Sequence, residues 1–333
     1  MGINKLNVVV ERELGEVTKP YPISDFAGCR IAIDLSIIVH KCHNKQFRKL
    51  ADGIDLLNES CANIDDALLT KMTVRDVLAR IKSDFVRHSI QPVIVVDGES
   101  PELKKRYAGP KRKQAKESAK KRLRALLARL KQKGVRRGNI STADFEELVK
   151  IHYQTREMGR DVLKKVAEAL EAKNYPVLHA VSEAEELCTK LCLEGKVKAV
   201  YSTDTDNIVR RCPLMITNIC REGPIGDWSD GSDVYAHAYG YNPLIHERMG
   251  LNYEEFVDFC IMMGCDYNQR MKGMREWHIV QYLFFYGSIE KIEENEKKLD
   301  LSTLHYQECR ELLRERPLEE CCVNYDDLVL YLS

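Results

Sequence analysis

Short, almost unbroken apolar runs alternate with helical periodicities along much of the chain. Arg30-Ile31-Ala32-Ile33 runs into Asp34, and Pro92-Val93-Ile94-Val95-Val96 runs into Asp97. Lys198-Ala199-Val200-Tyr201 leads through Ser202-Thr203 to Asp204 and Asp206. Between them Val74, Val77, Leu78, Ile81 and Phe85 recur at the spacing of one helix face. Runs that are apolar on both faces suit strands of a parallel sheet covered by helices on either side. The pattern therefore predicts an α/β fold with a central, mostly parallel sheet flanked by helices. Ligands of such sheets bind beyond the carboxyl ends of the strands, and here three predicted strands each deliver aspartate to that edge. Taken one at a time, Asp34 and Asp97 read equally well as turn or cap residues, and Asp97-Gly98 is a fair turn signal.

Charge changes the picture in one segment. Lys plus Arg and Asp plus Glu both number 51, so the chain is formally neutral. Residues 104–137, however, hold sixteen Lys or Arg and a single acid, Glu117. Lys111-Arg112-Lys113, Lys120-Lys121-Arg122 and Arg136-Arg137 concentrate self-repulsion that a polyanion such as nucleic-acid phosphate would relieve. Leu123, Leu126, Leu127 and Leu130 give the same stretch one apolar stripe. Gly109-Pro110 predicts a break before it, and Gly134 and Gly138 punctuate its end. The reading is a basic helical insertion outside the core.

Length and composition set the outer bounds. At roughly 150 residues per domain, 333 residues predict about two units, with 44% hydrophobic and 31% charged residues enough for a sizeable core. No apolar run approaches the ~18 residues of a membrane span. The first residues become charged too soon for a secretory signal, so an intracellular protein is expected. Twelve cysteines form no CxxC pair, which points to reduced, buried thiols and not to zinc.

More acids join the three strand ends. Val181-Ser182-Glu183-Ala184-Glu185 carries two glutamates, although Ser182 and Glu185 also have the spacing of a capping box. Asp266 follows the apolar helical stretch Phe256–Met263, where a helix terminator would also stand. Seven carboxylates (Asp34, Asp97, Glu183, Glu185, Asp204, Asp206 and Asp266) at one site would repel each other unless cations compensate. Hard oxygen ligands without His or Cys suit Mg²⁺, with Mn²⁺ as a substitute. Beside a phosphate-binding insertion, such a site suits two-metal phosphodiester hydrolysis, which needs no protein nucleophile. There is no GxxxxGK[ST] loop for nucleotide-driven chemistry.

These residues resemble the flap endonuclease family, within the XPG-type superfamily of structure-specific 5′ nucleases. The likeness spans roughly residues 1–290. It starts with Met1-Gly2-Ile3 and runs through Ile31-Ala32-Ile33-Asp34-x-Ser36 and Val96-Asp97-Gly98-x-x-Pro101-x-Leu103-Lys104. It continues in Ser182-Glu183-Ala184-Glu185 and Ser202-Thr203-Asp204-Thr205-Asp206. Gly250-Leu251-Asn252 and Gly264-Cys265-Asp266-Tyr267 complete it. The resemblance implies a PIN-like nuclease core and two Mg²⁺ ions. Asp34, Asp97, Glu183 and Glu185 would hold one, and Asp204, Asp206 and Asp266 would complete the other. It makes Lys104 the cation at the base of a helical arch, touching the scissile phosphate, with Lys111 and Arg112 as the second basic site. DNA contacts would fall to Gly2, His40, Lys113, Lys120, Lys121 and Arg122. Lys272 and Arg275 would add others in a helix–two-turn–helix element. His40 replaces the family's tyrosine, and Lys272-Gly273-Met274-Arg275 departs from its Gly-x-Gly-Pro turn.

The implied organisation is a nuclease region at 1–103 and a basic arch at 104–150. A second nuclease region follows at 151–266, then the helix–two-turn–helix and C-terminal helices at 267–333. The implied activity is Mg²⁺-dependent cleavage of branched or flapped DNA in replication and repair, in the nucleus. A related 5′ exonuclease, a junction resolvase or a non-catalytic DNA-binding replication factor are the alternatives. No sliding-clamp box is evident, and a compact viral member would look like this.

Overall fold

The computed structural model describes residues 2–15, 19–58, 63–221, 234–271 and 273–332. The chain divides into two compact units, Met1–Asp34 with Ser83–Ala108 and Tyr175–Ser333, and Leu35–Lys82 with Gly109–Asn174.

The first unit holds a seven-stranded sheet: β1 (Lys19–Pro22), β2 (Arg30–Asp34), β3 (Gln91–Val96), β4 (Val177–His179), β5 (Ala199–Tyr201), β6 (Met215–Arg221) and β7 (Val234–Tyr239). Their order is β1-β7-β6-β5-β2-β3-β4. From β6 to β4 every pairing is parallel, while β7 runs antiparallel to both β6 and β1. The expected mostly parallel sheet is therefore present. Ile31, Ala32 and Ile33 of β2, Ile94 and Val95 of β3 and Val200 of β5 are fully buried, and each of the Ile and Val side chains stabilises the fold by about 1.5–3 kcal/mol. Register sets Ile33 opposite both Ile94 and Tyr201, so the carboxyl ends of β2, β3 and β5 finish level. The outer edge at β4 is covered by the C-terminal segment: Asn324 accepts from the His179 N–H and donates to the Val177 carbonyl, which blunts an otherwise open edge.

The second unit is helical. Leu35–Ala51, Thr142–Thr155 and Arg160–Glu171 lie wholly within it, with most of Asp66–Asp84 and Glu102–Gln132. Phe47, Leu56, Leu69, Leu126, Leu130 and Leu148 form its core. Ser141 caps Thr142–Thr155 by accepting the Asp144 N–H at 3.1 Å. The helix Glu102–Gln132 corrects one expectation: Gly109-Pro110 does not end the chain's helical course but lies inside it. Pro110 has no N–H for the Arg106 carbonyl, so the 31-residue helix gives up one of its main-chain bonds there. The two compact units change over at Ala108/Gly109, next to that proline.

No helix among the described residues is long and apolar enough to cross a membrane. The eleven described cysteines form no disulfide, and most are buried.

Candidate active site

The carboxyl edge of the parallel sheet gathers the predicted acids. Asp34 is the last residue of β2 and is buried; Ser202, just past β5, donates to its Oδ2 at 3.4 Å. Asp97 follows β3 directly. Its Oδ1 accepts the Ala184 N–H at 2.9 Å and so caps the helix Ala184–Leu193 from a distant strand. The Ser182–Glu185 capping box is not formed. Glu183, not Ser182, is the N-cap residue and makes no side-chain cap bond, while the first helical N–H, of Ala184, goes to Asp97. Gly98 explains the neighbouring turn signal differently, since a Cβ there would stand 2.1 Å from the Ala180 carbonyl oxygen. The glycine lets the backbone after β3 lie against the segment leading to Glu183, where the Gly98 N–H reaches the Ser182 carbonyl at 2.7 Å.

Glu183, Glu185, Asp204 and Asp206 are all buried, and Asp266 is partly so. The loop after β5 is locked by its own side chains: Asp204 N–H donates to Ser202 Oγ and Asp206 N–H to Asp204 Oδ1, both at 3.1 Å. Gly2 packs against this loop in the left-handed region, φ 92°, and a Cβ there would lie 2.1 Å from Asp204 Oδ1. Only glycine fits so close to the two carboxylates.

Electrostatics show how crowded these groups are. Burial, then the charge of Glu185 and, less strongly, that of Asp266, pushes the Asp204 carboxyl up to about 6. Asp206 is raised well above the usual range by burial and by Asp204, Glu185 and Asp266. Burial also raises Glu185, opposed by Lys104 and assisted by Asp97. One cation reaches in from the helix Glu102–Gln132. Lys104 Nζ donates to Glu183 Oε2, and it lies 3.8 Å from Asp266 Oδ2 and 4.0 Å from Glu185 Oε1.

These residues fit divalent metal. The donors are hard oxygens, and Glu185 Oε1 and Asp206 Oδ1 are buried without a hydrogen-bond partner. Such orphaned oxygens are costly unless a cation completes them. Among the described residues no three His, Cys, Asp or Glu side chains stand close enough round one point to hold an ion as arranged. The Lys104 ammonium supplies positive charge among Glu183, Glu185 and Asp266.

The chain's two halves of the site match two models of one family: the XPG N-terminal domain over residues 1–119 and the XPG I-region over residues 174–266. The chain belongs to the XPG-type flap endonuclease family. It is 28% identical over 297 residues to Flap endonuclease 1 of Saccharomyces cerevisiae, covering 88% of this chain and 68% of that protein. Against Flap endonuclease 1 of Glycine max it is 26% identical, covering 95% and 75%. Its fold resembles the catalytic core of Rad2 in complex with DNA substrate, with TM-score 0.54, 16% identity and coverage of 96% and 78%. It also resembles the flap endonuclease-1 of Methanococcus jannaschii, with TM-score 0.51, 18% identity and coverage of 90% and 82%.

Other predicted residues of this flap endonuclease-family chain lie in the helical unit. Lys111, Arg112, Lys113, Lys121 and Arg122 are exposed on the helix Glu102–Gln132, and Lys120 is half-buried beside Glu117 at 2.7 Å. His40 is exposed on Leu35–Ala51, where partial desolvation and then the charge of Arg112 lower its pKa. Back in the sheet unit, Arg275 is exposed at the N-cap of Glu276–Tyr286, the next helix after the turn that follows Tyr253–Met263. Lys272 lies outside the described residues. Sequence reasoning missed Asn268, wholly buried, which organises that turn: its side chain accepts from Cys265 N–H at 2.9 Å and donates to the Ile261 and Leu304 carbonyls. It also missed the buried Arg210 and Glu186 behind the carboxylates.

Proposed function

We propose that this chain is a divalent-metal-dependent, structure-specific 5′ nuclease that hydrolyses a phosphodiester of branched DNA near a single-strand/duplex junction, leaving a 5′-phosphate. The carrying observation is the delivery of acids by β2, β3, β5 and the segment after β4 to one sheet edge, with the Lys104 ammonium among them. Two relatives at 26–28% identity are named Flap endonuclease 1, and the Rad2 core is described in complex with DNA substrate.

Asp34, Asp97, Glu183 and Glu185 are assigned to one Mg²⁺ and Asp204, Asp206 and Asp266 to a second, with Mn²⁺ able to substitute. Bound there, the ions supply Lewis-acid stabilisation of the phosphoryl oxygens and a water acidic enough to be a nucleophile at neutral pH. The chain's own contribution is orientation and charge. Ser202 and the backbone N–H groups hold the carboxylates, and Gly2 leaves room beside them. Lys104 offers a donor to a phosphate oxygen on leaving Glu183, a charge-assisted hydrogen bond. The exposed Lys111, Arg112, Lys113, Lys121 and Arg122 supply a backbone-reading surface that is indifferent to base sequence. Residence in the nucleus and work in replication and repair follow from that substrate.

The test is cleavage of an end-labelled 5′-flap DNA with Mg²⁺ or EDTA, beside a nicked duplex and a four-way junction. A Mg²⁺-dependent cut at the flap junction is expected. A preference for the four-way junction would reassign the substrate, and binding without any cut would leave only a DNA-binding scaffold.

A further inference from the structure

Lys104 Nζ stands 3.8 Å from Asp266 Oδ2, yet the two residues sit on different elements. Lys104 is in the first turn of the helix Glu102–Gln132, and Asp266 is in the turn after Tyr253–Met263. A short segment near the C-terminus touches both. On one side, the Gln269 N–H donates to the Thr303 carbonyl at 3.3 Å, and Asn268 Nδ2 donates to the Leu304 carbonyl at 3.1 Å. The same Asn268 side chain accepts the N–H of Cys265, the neighbour of Asp266, at 2.9 Å. On the other side, the Tyr107 hydroxyl is hydrogen-bonded to His305 Nε2 at 2.5 Å, with the two rings 5.3 Å apart and tilted by 50°.

Tyr107 follows Lys104 by three residues, so the two share one face of the helix. Their bond to the C-terminal segment falls just before Ala108, the last residue of that helix to belong to the sheet unit. The His305 backbone lies in the left-handed region, φ 46° and ψ 43°. A residue with a Cβ rarely adopts it, and such conformations persist where the surroundings over-determine them. Here the His305 carbonyl accepts the Cys309 N–H at 2.8 Å, opening the helix Tyr306–Leu313, while Tyr107 holds the ring. A phenol and an imidazole can each donate or accept, so the bond does not depend on the charge of the ring. His305 lies beyond both regions matched by the family models.

We propose that Tyr107 and His305 are positioning residues: their bond, together with the grip of Asn268 on Leu304, sets where Lys104 stands relative to Asp266. The inference rests on the nuclease reading above, in which Lys104 donates to a phosphate oxygen. Neither residue touches substrate; both act through Lys104. A misplacement of about 1 Å at such a contact can cost about 10²-fold in rate. Affinity, spread over many backbone phosphates, is far less sensitive to it.

The experiment measures single-turnover cleavage of a 5′-flap DNA with Mg²⁺ and affinity for the same DNA in EDTA, using the full chain. Tyr107→Phe removes only the hydroxyl. His305→Asn tolerates the left-handed backbone but is too short to reach Tyr107. Either change should slow cleavage about tenfold at saturating DNA, with affinity within about twofold of wild type. Both together should do no more than one, because they break the same bond. In a Lys104→Ala background, neither should slow cleavage by more than about a further twofold. A metal-free readout accompanies these: amide exchange of residues 105–108 should quicken in both variants, while that of β2 stays at the wild-type rate. An unchanged rate, an affinity that falls in step with the rate, or the full loss persisting in the Lys104→Ala background would each overturn the proposal and leave the nuclease reading standing. So would a Lys104→Ala protein that cleaves like wild type. A wild type that binds the flap and never cuts it removes the nuclease reading, and this proposal with it.

Discussion

The seven acids of the sheet edge and the thirteen bases of the helix Glu102–Gln132 are held in opposite ways. Most of the acids are buried, and several have a specific neighbour: Ser202 for Asp34, the Ala184 N–H for Asp97, Lys104 for Glu183. Most of the bases between Lys111 and Arg124 stand in water, where salt screens like charges beyond about 10 Å and softens their repulsion. Burial makes charge precise and costly; exposure makes it cheap and interchangeable. Loss of a single acid should therefore be all-or-none, while loss of bases should be graded.

The sharpest way to break that contrast is Asp97→Ala or Asp204→Ala. Either should reduce cleavage of a flap substrate by at least about 10³-fold while leaving DNA affinity within a few-fold. Retained cleavage in either variant, read in a single-turnover assay, would show that these carboxylates do not serve the chemistry. Lys104→Ala comes next. Removing a donor to a charged transition state costs about 10²–10³-fold in rate. Lys104→Arg should rescue part of that loss, because it keeps the charge but changes the reach.

What was readable in the sequence divides along the same line. The strands β2, β3 and β5 are legible because both their faces are buried, which leaves continuous apolar runs ending in acid. β1 is not: Lys19-Pro20-Tyr21-Pro22 carries two prolines, tolerable only because it is an edge strand paired to β7 alone. β4, Val177-Leu178-His179, has only two apolar residues before a polar one and leaves no run to read. At the site the acids are visible by type and order, but their supports are not. Nothing near Asp97 announces that it caps a helix beginning at Ala184, 87 positions on. Nor does Arg210 differ in sequence from the exposed Arg211 beside it; only Leu312, 102 residues away, marks it as buried. Pro110 misleads in the opposite sense, because a single lost main-chain bond is small beside the many others of a 31-residue helix.

On the basic side, neutralising Lys111, Arg112 and Lys113 together should weaken binding by degrees. The slope of log affinity against log salt should fall by up to ~0.9 for each duplex phosphate that is no longer neutralised. Cleavage at saturating DNA should stay near wild type. An unchanged slope in titrations between low and moderate salt would move the DNA-binding surface off this helix.

The smallest effect tests whether the acids are truly crowded in the absence of metal. The Asp204 carboxyl is raised from its ordinary value near 3.8 to about 6, by burial first and by Glu185 next. A group raised in the folded state favours folding when protonated. That contribution is whole below about pH 4 and is lost as pH rises through about 6. Asparagine is neutral at every pH and can still accept the Asp206 N–H through its carbonyl. In EDTA, Asp204→Asn should therefore match wild type near pH 4 and become the more stable protein between pH 4 and 6. Above that it should hold an advantage on the order of 2–3 kcal/mol. Saturating Mg²⁺ should reverse the order at pH 7.5, since only the carboxylate gains from the ion. Urea unfolding at three pH values, with and without Mg²⁺, reads both signs. An Asn variant less stable than wild type throughout would mean that Asp204 is compensated by its neighbours even without metal, and that the buried acids are no more strained than the exposed bases.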